Sequence, residues 1–335
     1  MPPLISVLFP CRNAARVLPD AIASLEVQTY ADFEVIAVDD GSDDDTPAIL
    51  ADWAARDARV RPLVNPGIGL VHALNTAAGC ARGDLIARMD ADDVAEPTRF
   101  ERQVAFLAEN PRVGACGTRV RYFPRAELRD GARRYEAWLN ALTAPGDLAR
   151  DIFVECPIAH PTLFVRADAF RAVGRYRDMG WPEDYDLVLR LWEGGFGLAN
   201  VPEVLLHWRE GANRASRTDP RYGHDAFRRC RVHFLRRTLL AGRNGVVVWG
   251  AGPIGKAMAK ELAGQGERIL AFVDLDPRKI GQTIHGAPVI APAGIEAFRG
   301  AFALGAVGSP GAREEIRAAL NAAGWREMED YCVVA

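Results

Sequence analysis
Short apolar runs alternate with amphipathic stretches over residues 5–89, and this alternation restricts the fold more than any other property of the chain. ISVLFP (5–10), FEVIAV (33–38), RVRPLV (59–64) and LIARM (85–89) have strand length and little polar interruption. Between them, Val17, Leu18, Ile22 and Leu25 recur at helical spacing within 15–28, and a further helix is expected over roughly 69–82. Thr46-Pro47 has the signature of a helix start, a capping side chain followed by proline at the first helical position. The order β-α-β-α-β-α-β predicts an α/β fold with a mainly parallel sheet covered on both faces, because each strand reads as a continuous apolar run. Ligands of such sheets collect at the carboxyl ends of the strands.

Beyond residue 100 the pattern loosens and then restarts. GACGTRVRYF (114–123) reads as a strand, and TLFVRADAFRAVG (162–174) as a strand turning into a helix. PEDYDLVLRLWEGG (182–195) carries a helical stripe of Tyr185, Leu187, Val188 and Leu191 closed by Gly194-Gly195. Residues 209–237 are rich in arginine, and on a helical wheel Arg228, Arg231 and Arg237 do not segregate from Phe227, Cys230 and Phe234, which argues for a solvated helix rather than a membrane-surface one. At Arg243-Asn244-Gly245 a new strand, glycine turn and helix begin. The expected organisation is a first domain over 1–213, a basic helical linker over 214–242 and a small Rossmann-like α/β domain over 243–335.

The totals narrow the function classes. A chain of 335 residues suits two domains, and a net charge of −3 argues against nucleic acid as the main partner. The cysteines, Cys11, Cys80, Cys116, Cys156, Cys230 and Cys332, are scattered without a CxxC pair, which fits a reducing compartment and argues against structural zinc. No signal peptide and no membrane-spanning run is apparent, so the expectation is a cytoplasmic protein.

Two acidic clusters fall at the expected strand ends: Asp39-Asp40-Gly41-Ser42 and Asp90-Ala91-Asp92-Asp93. Carboxylates at this spacing repel one another, and they are hard oxygen ligands suited to magnesium, manganese or calcium. A calcium-binding helix-loop-helix is excluded, since Val94 and Ala95 occupy the positions that need a ligand and the turn glycine, and a strand enters where a helix should. A solvated turn capping the next helix accounts for one such cluster, least strainedly for Asp93, but two at one sheet edge point to a ligand site.

The segments SVLFPCRNAARVLPDAIASLEVQTYADFEVIAVDDGSDDDT, NPGIGLVHALNTAAGCARGDLIARMDADD, HPTLFV and PEDYDLVLRL resemble the family 2 glycosyltransferases over about residues 3–210. The resemblance implies a GT-A fold and an inverting transfer from a nucleotide sugar. It implies donor-binding roles for Pro10, Asn13, Asp39 and Asp40, with Asp40 on the uracil of a UDP-sugar. A carboxylate there accepts the imide N–H, a contact cytosine cannot reproduce. By the same resemblance Asp92 ligates a manganese or magnesium ion bridging the diphosphate, and Asp90 faces the ribose or a metal-bound water. Asp184 is the implied catalytic base, with Glu183 as its rival and Asp186 as a packing or capping residue. His160 falls near the acceptor side, although a structural histidine is the commoner case. Many relatives carry histidine two residues after an arginine at the domain's end; here that spacing gives Gly211, leaving His207 or Arg209 as substitutes and Arg214 as a further phosphate contact. The implied partners are a UDP-sugar donor and a glycan or lipid-linked acceptor, with peripheral association at the inner membrane face and a place in polysaccharide assembly.

The loop Gly250-Ala251-Gly252-Pro253-Ile254-Gly255 opens a helix after a strand, and Asp274 ends the next strand, which is the context of a dinucleotide fingerprint. Small Rossmann-like domains appended to sugar-modifying enzymes look similar. A nucleotide or NAD(P) and a purely structural or interaction use both remain open readings. The rival functions are a sugar nucleotidylyltransferase, disfavoured because FPCRNAARV has no glycine loop, a nicotinamide oxidoreductase carried by 243–335, and a non-catalytic sugar-nucleotide sensor.

Overall fold
The four apolar runs become parallel strands: β1 (Ile5–Cys11), β2 (Phe33–Asp39), β3 (Val60–Val64) and β4 (Leu85–Arg88). The structure, a computed structural model, describes residues 2–211 and 214–335. The sheet continues through β5 (Val94–Ala95), β6 (Val113–Phe123), β7 (Phe164–Arg166) and β8 (Gly197–Arg209), giving the order β3-β2-β1-β4-β7-β6-β8-β5. β7 runs antiparallel to β4 and β6, and β5 antiparallel to β8. The direction of strand succession reverses between β1 and β4, so their carboxyl ends open a crevice where loops diverge to opposite faces.

Every residue of β1 and β2 is buried, as burial on both faces requires. Trp53, on the helix Thr46–Arg56, is 1% exposed and meets Phe9 edge to face at 5.8 Å. Phe33, Phe100 and Phe164 continue the core along the sheet. Thr46 does not cap its helix as expected. Its Oγ1 accepts a hydrogen bond from the Ala14 N–H (2.8 Å), so the buried hydroxyl pins the loop after β1, and the helix has no side-chain cap. The stretches 124–160 and 195–218, to which the sequence pattern assigns no element, contain the helices Asp130–Ala141 and Pro145–Asp151 and the long strand β8. Strand β8 escapes a period-two reading because Pro202 interrupts it and its register shifts against β6.

The chain divides into two units by contact. The first comprises Met1–Ala149, Pro157–Met179 and Glu183–Thr218; the second comprises Arg150–Cys156, Gly180–Pro182 and Asp219–Ala335. The boundary expected at 213 falls on a residue outside those described. The 214–242 segment is not a free-standing bridge: its helix His224–Arg237 belongs to the second unit, buries Ala226, Cys230, Val232, Phe234 and Leu235, and packs on the helix Pro253–Gly264. This unit holds the strands β9 (Val246–Trp249), β10 (Ile269–Val273), β11 (Thr283–Ile284), β12 (Ala287–Ile290), β13 (Phe302–Gly305) and β14 (Tyr331–Val333), in the order β11-β12-β10-β9-β13-β14. All its pairings are parallel except the β11–β12 hairpin. None of the described helices is long and apolar enough to cross a membrane.

Truncating Trp53→Ala removes the largest apolar side chain sealing the β1–β2 face. It is expected to destabilise the first unit by about 3–5 kcal/mol, seen as a lower urea midpoint by circular dichroism.

Candidate functional site
The acidic turn after β4 is held from two sides. β5 pairs with His207 and Leu206 of β8, which folds the chain back immediately after Asp93. The Arg209 N–H donates to Asp93 Oδ1 (2.7 Å), and Arg209 Nε donates to the Asp92 carbonyl (2.6 Å). Asp90, Asp92 and Asp93 thereby each bring a carboxylate oxygen to within 4.8 Å of the others. Arg88, 1% exposed, offsets part of this charge: its guanidinium pairs with Asp90 and donates to the Met89 carbonyl.

Burial raises the cost of charge on all three, but their neighbours separate them. Burial opposes ionisation of Asp90, yet Arg88 outweighs it and holds the carboxyl below its usual range. Burial, then the charge of Asp90, pushes Asp92 up to about 6. Asp93 is raised well above its ordinary value by burial and by both neighbouring carboxylates, and its Oδ2 is buried without a hydrogen-bond partner. Clustered hard oxygens with an orphaned buried carboxylate atom fit a divalent cation of the magnesium or manganese class.

At the end of β2 the two aspartates differ. Asp40 Oδ1 accepts from Asn65 Nδ2 (2.6 Å) and the Gly69 N–H (2.9 Å), and Arg12 stands 3.8 Å from Oδ2. Asp40, expected on the base, is therefore largely engaged in holding the 65–69 loop. The Asp39 carboxylate makes only long contacts to the Ser42 N–H, 3.3 and 3.4 Å, while the Asp39 carbonyl accepts from the Asn65 N–H (2.8 Å); burial first, and then the charges of Asp39 and Asp90, raise the buried Cys11 thiol. Asp39 thus lies at the end of β2, paired in register with Cys11 of β1. Asn13 adopts φ 48° and donates its N–H to Ser42 Oγ (2.9 Å) while its Oδ1 accepts from Asp43 (2.9 Å), shaping the loop after β1; Pro10 is buried within β1.

The attack-side residues gather around Tyr176. His160 Nε2 meets the Tyr176 hydroxyl at 2.9 Å, and His160 Nδ1 lies 3.6 Å from Glu183 Oε1. Burial and the charge of Arg88 push His160 down to about 3, so its imidazole is neutral. Burial raises the Tyr176 phenol, and the negative charges of Glu183, Asp184 and Asp90 add to it. The phenol therefore senses the acidic turn and the helix Glu183–Glu193 together. Glu183 is buried and Asp184 half-buried in that helix's first turn, where Asp184 Oδ1 accepts from the Tyr185 N–H (2.7 Å). Asp186 pairs with Arg190 at 2.7 Å, a packing role.

Other sequence candidates have structural partners. His207 faces Glu96 at 2.7 Å, and the Arg209 guanidinium, besides the Asp92 carbonyl, reaches Asp20 at 2.8 Å and stacks on Phe123. Arg209 thus braces the turn through both its backbone N–H and its guanidinium rather than presenting a free charge. Arg214 lies over the Trp208 ring at 4.5 Å, beside Glu210 at 3.5 Å, and its charge is felt by Asp90, Asp92 and Asp93. Three residues here had gone unassigned: Arg88, Asn65 and Tyr176. An arginine inside the apolar run LIARM was the signal for the first; nothing in the sequence marked the other two.

In the second unit, Gly250 adopts φ 123°, and a side chain at Gly255 would run into the Gly250 carbonyl. Gly252 is the N-cap of the helix Pro253–Gly264. Asp274 accepts from the Ala251 N–H, the Asp276 N–H and Lys279 Nζ, each at 2.9 Å. The glycines and the aspartate are accounted for by the turn they build.

Comparison with known proteins adds the following. The family pattern described as Glycosyl transferase family 2 matches residues 6–174. An uncharacterized glycosyltransferase of Haemophilus influenzae is 31% identical over 67% of this chain and 69% of its own length. EpsE of Bacillus subtilis is 35% identical over 67% of this chain and 79% of its own. The amylovoran biosynthesis glycosyltransferase AmsE of Erwinia amylovora is 28% identical over 64% and 79%. Among solved structures, S. aureus TarS 1-349 in complex with UDP-GlcNAc superposes with a TM-score of 0.56 at 16% identity, covering 70% of this chain and 66% of that one. The chain spans 40% of the longer TarS chain. The mannosyltransferase PcManGT from Pyrobaculum calidifontis, in complex with GDP-Man and Mn2+, gives a TM-score of 0.53 at 17% identity over 98% of this chain and 82% of that one. These likenesses establish the GT-A type of fold.

A carboxyl whose folded-state pKa is raised costs stability once ionised, and for Asp92 that cost grows as pH rises from 3.8 through about 6. Asp92→Asn is therefore expected to stabilise the metal-free chain by about 1–3 kcal/mol at about pH 7.5 and hardly at all near about pH 4. Manganese should raise the melting temperature at about pH 7.5 and lose most of that effect at about pH 5, where protons compete for Asp92.

Proposed function
The chain belongs to glycosyl transferase family 2 and is a glycosyltransferase, and from that premise we propose an inverting, metal-dependent transfer from a UDP-sugar to a hydroxyl acceptor. The observation that carries this reading is the cluster Asp90, Asp92 and Asp93 at the end of β4, with Asp184 in the first turn of the helix Glu183–Glu193. A UDP-GlcNAc complex of TarS and a GDP-Man and Mn2+ complex of PcManGT support the nucleotide sugar and the metal.

Donor recognition falls to the β1–β2 side. The loosely bonded Asp39 is the carboxylate best disposed to accept a uracil imide N–H, with Asp40 holding the Asn65–Gly69 loop beside it. Asn13 and Pro10 shape the adjoining wall. Asp92, with Asp93, would hold the cation, and Asp90, kept ionised by Arg88, would face the ribose or a metal-bound water. A bound cation supplies charge balance for the diphosphate as it leaves the sugar. Arg214 adds a second positive charge on that side.

Acceptor attack falls to Asp184. Its carboxylate takes the hydroxyl proton as the acceptor oxygen bonds to the anomeric carbon and the bond to the diphosphate oxygen breaks on the opposite face. Its place in the first turn of the helix Glu183–Glu193 is one where helix N–H groups favour a carboxylate. The buried position of Glu183 beside His160 suits a supporting role and makes Asp184 the better base. Neutral His160 orients Tyr176 at the acceptor side. A glycan or lipid-linked acceptor in polysaccharide or glycoconjugate assembly fits the amylovoran biosynthesis role in the name of AmsE.

Asp184→Asn should lower transfer by about 10²–10⁴-fold while UDP affinity in manganese, measured by calorimetry, stays unchanged; normal turnover in that variant would refute the assignment. Asp92→Ala should abolish the manganese-linked part of UDP affinity, checked by titrating UDP with manganese and with a chelator.

A further inference from the structure
The second unit takes in two short stretches from the earlier part of the chain, Arg150–Cys156 and Gly180–Pro182. Both lead directly to the attack side. The first runs through Pro157-Ile158-Ala159 into His160, and the second runs through Glu183 into Asp184.

Each stretch is held by side chains of the second unit. Asp151 is 3% exposed, and its carboxylate pairs with Arg317 and, at 3.5 Å, with Arg313, both on the helix Ala312–Ala322. Arg317 continues to Glu327 at 2.7 Å. Ile152, Phe153 and Cys156 are buried beside it. Glu155 faces Arg231 at 3.7 Å, and Arg231 also donates to the Val334 carbonyl at 2.9 Å. Arg229 donates to the Gly180 carbonyl at 3.2 Å, and the Trp181 and His233 rings lie 5.3 Å apart. Arg229, Arg231 and His233 all come from the helix His224–Arg237. The arginine-rich stretch noted in the sequence therefore spends part of its charge on these two segments.

A buried carboxylate with two arginines gives little net stability, but it penalises any other placement of the segment that carries it. Catalysis is sensitive to displacements of about 1 Å, so backbone leading into a catalytic side chain is where such a constraint acts on rate. The donor-side residues differ: Asp39, Asp90 and Asp92 sit at strand ends of the first sheet.

We propose that the second unit is a positioning element of the transferase, with Arg313, Arg317 and Arg229 setting the segments that deliver His160 and Asp184, while donor binding is independent of it. The link to rate rests on the reading of Asp184 as the base.

The test uses the full-length chain with Arg313→Ala/Arg317→Ala and, as a milder change, Arg229→Ala. Hydrogen–deuterium exchange is expected to rise about tenfold over residues 157–162 in the double variant and over 183–190 in Arg229→Ala, with 33–42 and 85–93 unchanged. UDP affinity in manganese should stay within about twofold, and turnover of whichever UDP-sugar the unaltered chain uses should fall about tenfold. Arg317→Lys, keeping a positive charge, should restore much of the protection lost in Arg317→Ala. Unchanged exchange in both windows overturns the proposal. So does faster exchange with full turnover, or a uniform loss of protection accompanied by lost UDP affinity. The exchange and UDP results do not depend on the chemistry of Asp184, so a fully active Asp184→Asn would sink the base assignment separately.

Discussion
Three carboxylates crowded at the end of one buried strand are the constraint around which the first unit is organised. Their repulsion is offset on one side by Arg88, an arginine with 1% exposure, and braced on the other by the backbone of Arg209. Such a turn costs stability while it is empty of counter-charge, as the raised pKa values of Asp92 and Asp93 record. That cost suits the turn to receive a cation, whose binding would return the free energy withheld from folding.

The placement of the turn follows from topology. Strand succession reverses between β1 and β4, so the loops after those strands part and leave room at the sheet edge. Asp39 approaches from β2 on one side, and Tyr176, His160 and Asp184 approach from the antiparallel half on the other. The parallel strands carry Asp39, Asp90 and Asp92 at their carboxyl ends, whereas His160, Tyr176 and Asp184 come from the chain on either side of β7.

The family 2 pattern ends at residue 174, before the helix that carries Asp184 and before the 219–335 part of the second unit. The glycine loop of that unit has the form of a dinucleotide site, yet its aspartate is engaged by the loop's own N–H groups and by Lys279. A motif of this kind reports the geometry of a turn first and a ligand only second.

Much was legible in the residues themselves. Continuous apolar runs predicted the parallel strands, because a strand buried on both faces tolerates no polar alternation. The acidic clusters pointed to a ligand site, because two of them fall at one edge of a parallel sheet. The helix carrying Asp184 showed in its apolar stripe. What the sequence could not show were relations between distant residues. That the Asp40 carboxylate holds the Asn65 side chain, that Thr46 binds the loop after β1 instead of capping its helix, and that Tyr176 meets His160 all depend on hydrogen bonds between residues far apart in sequence. Local pattern encodes which face of an element is apolar; only packing decides which polar group meets which, since that choice is made by desolvation once the elements have come together.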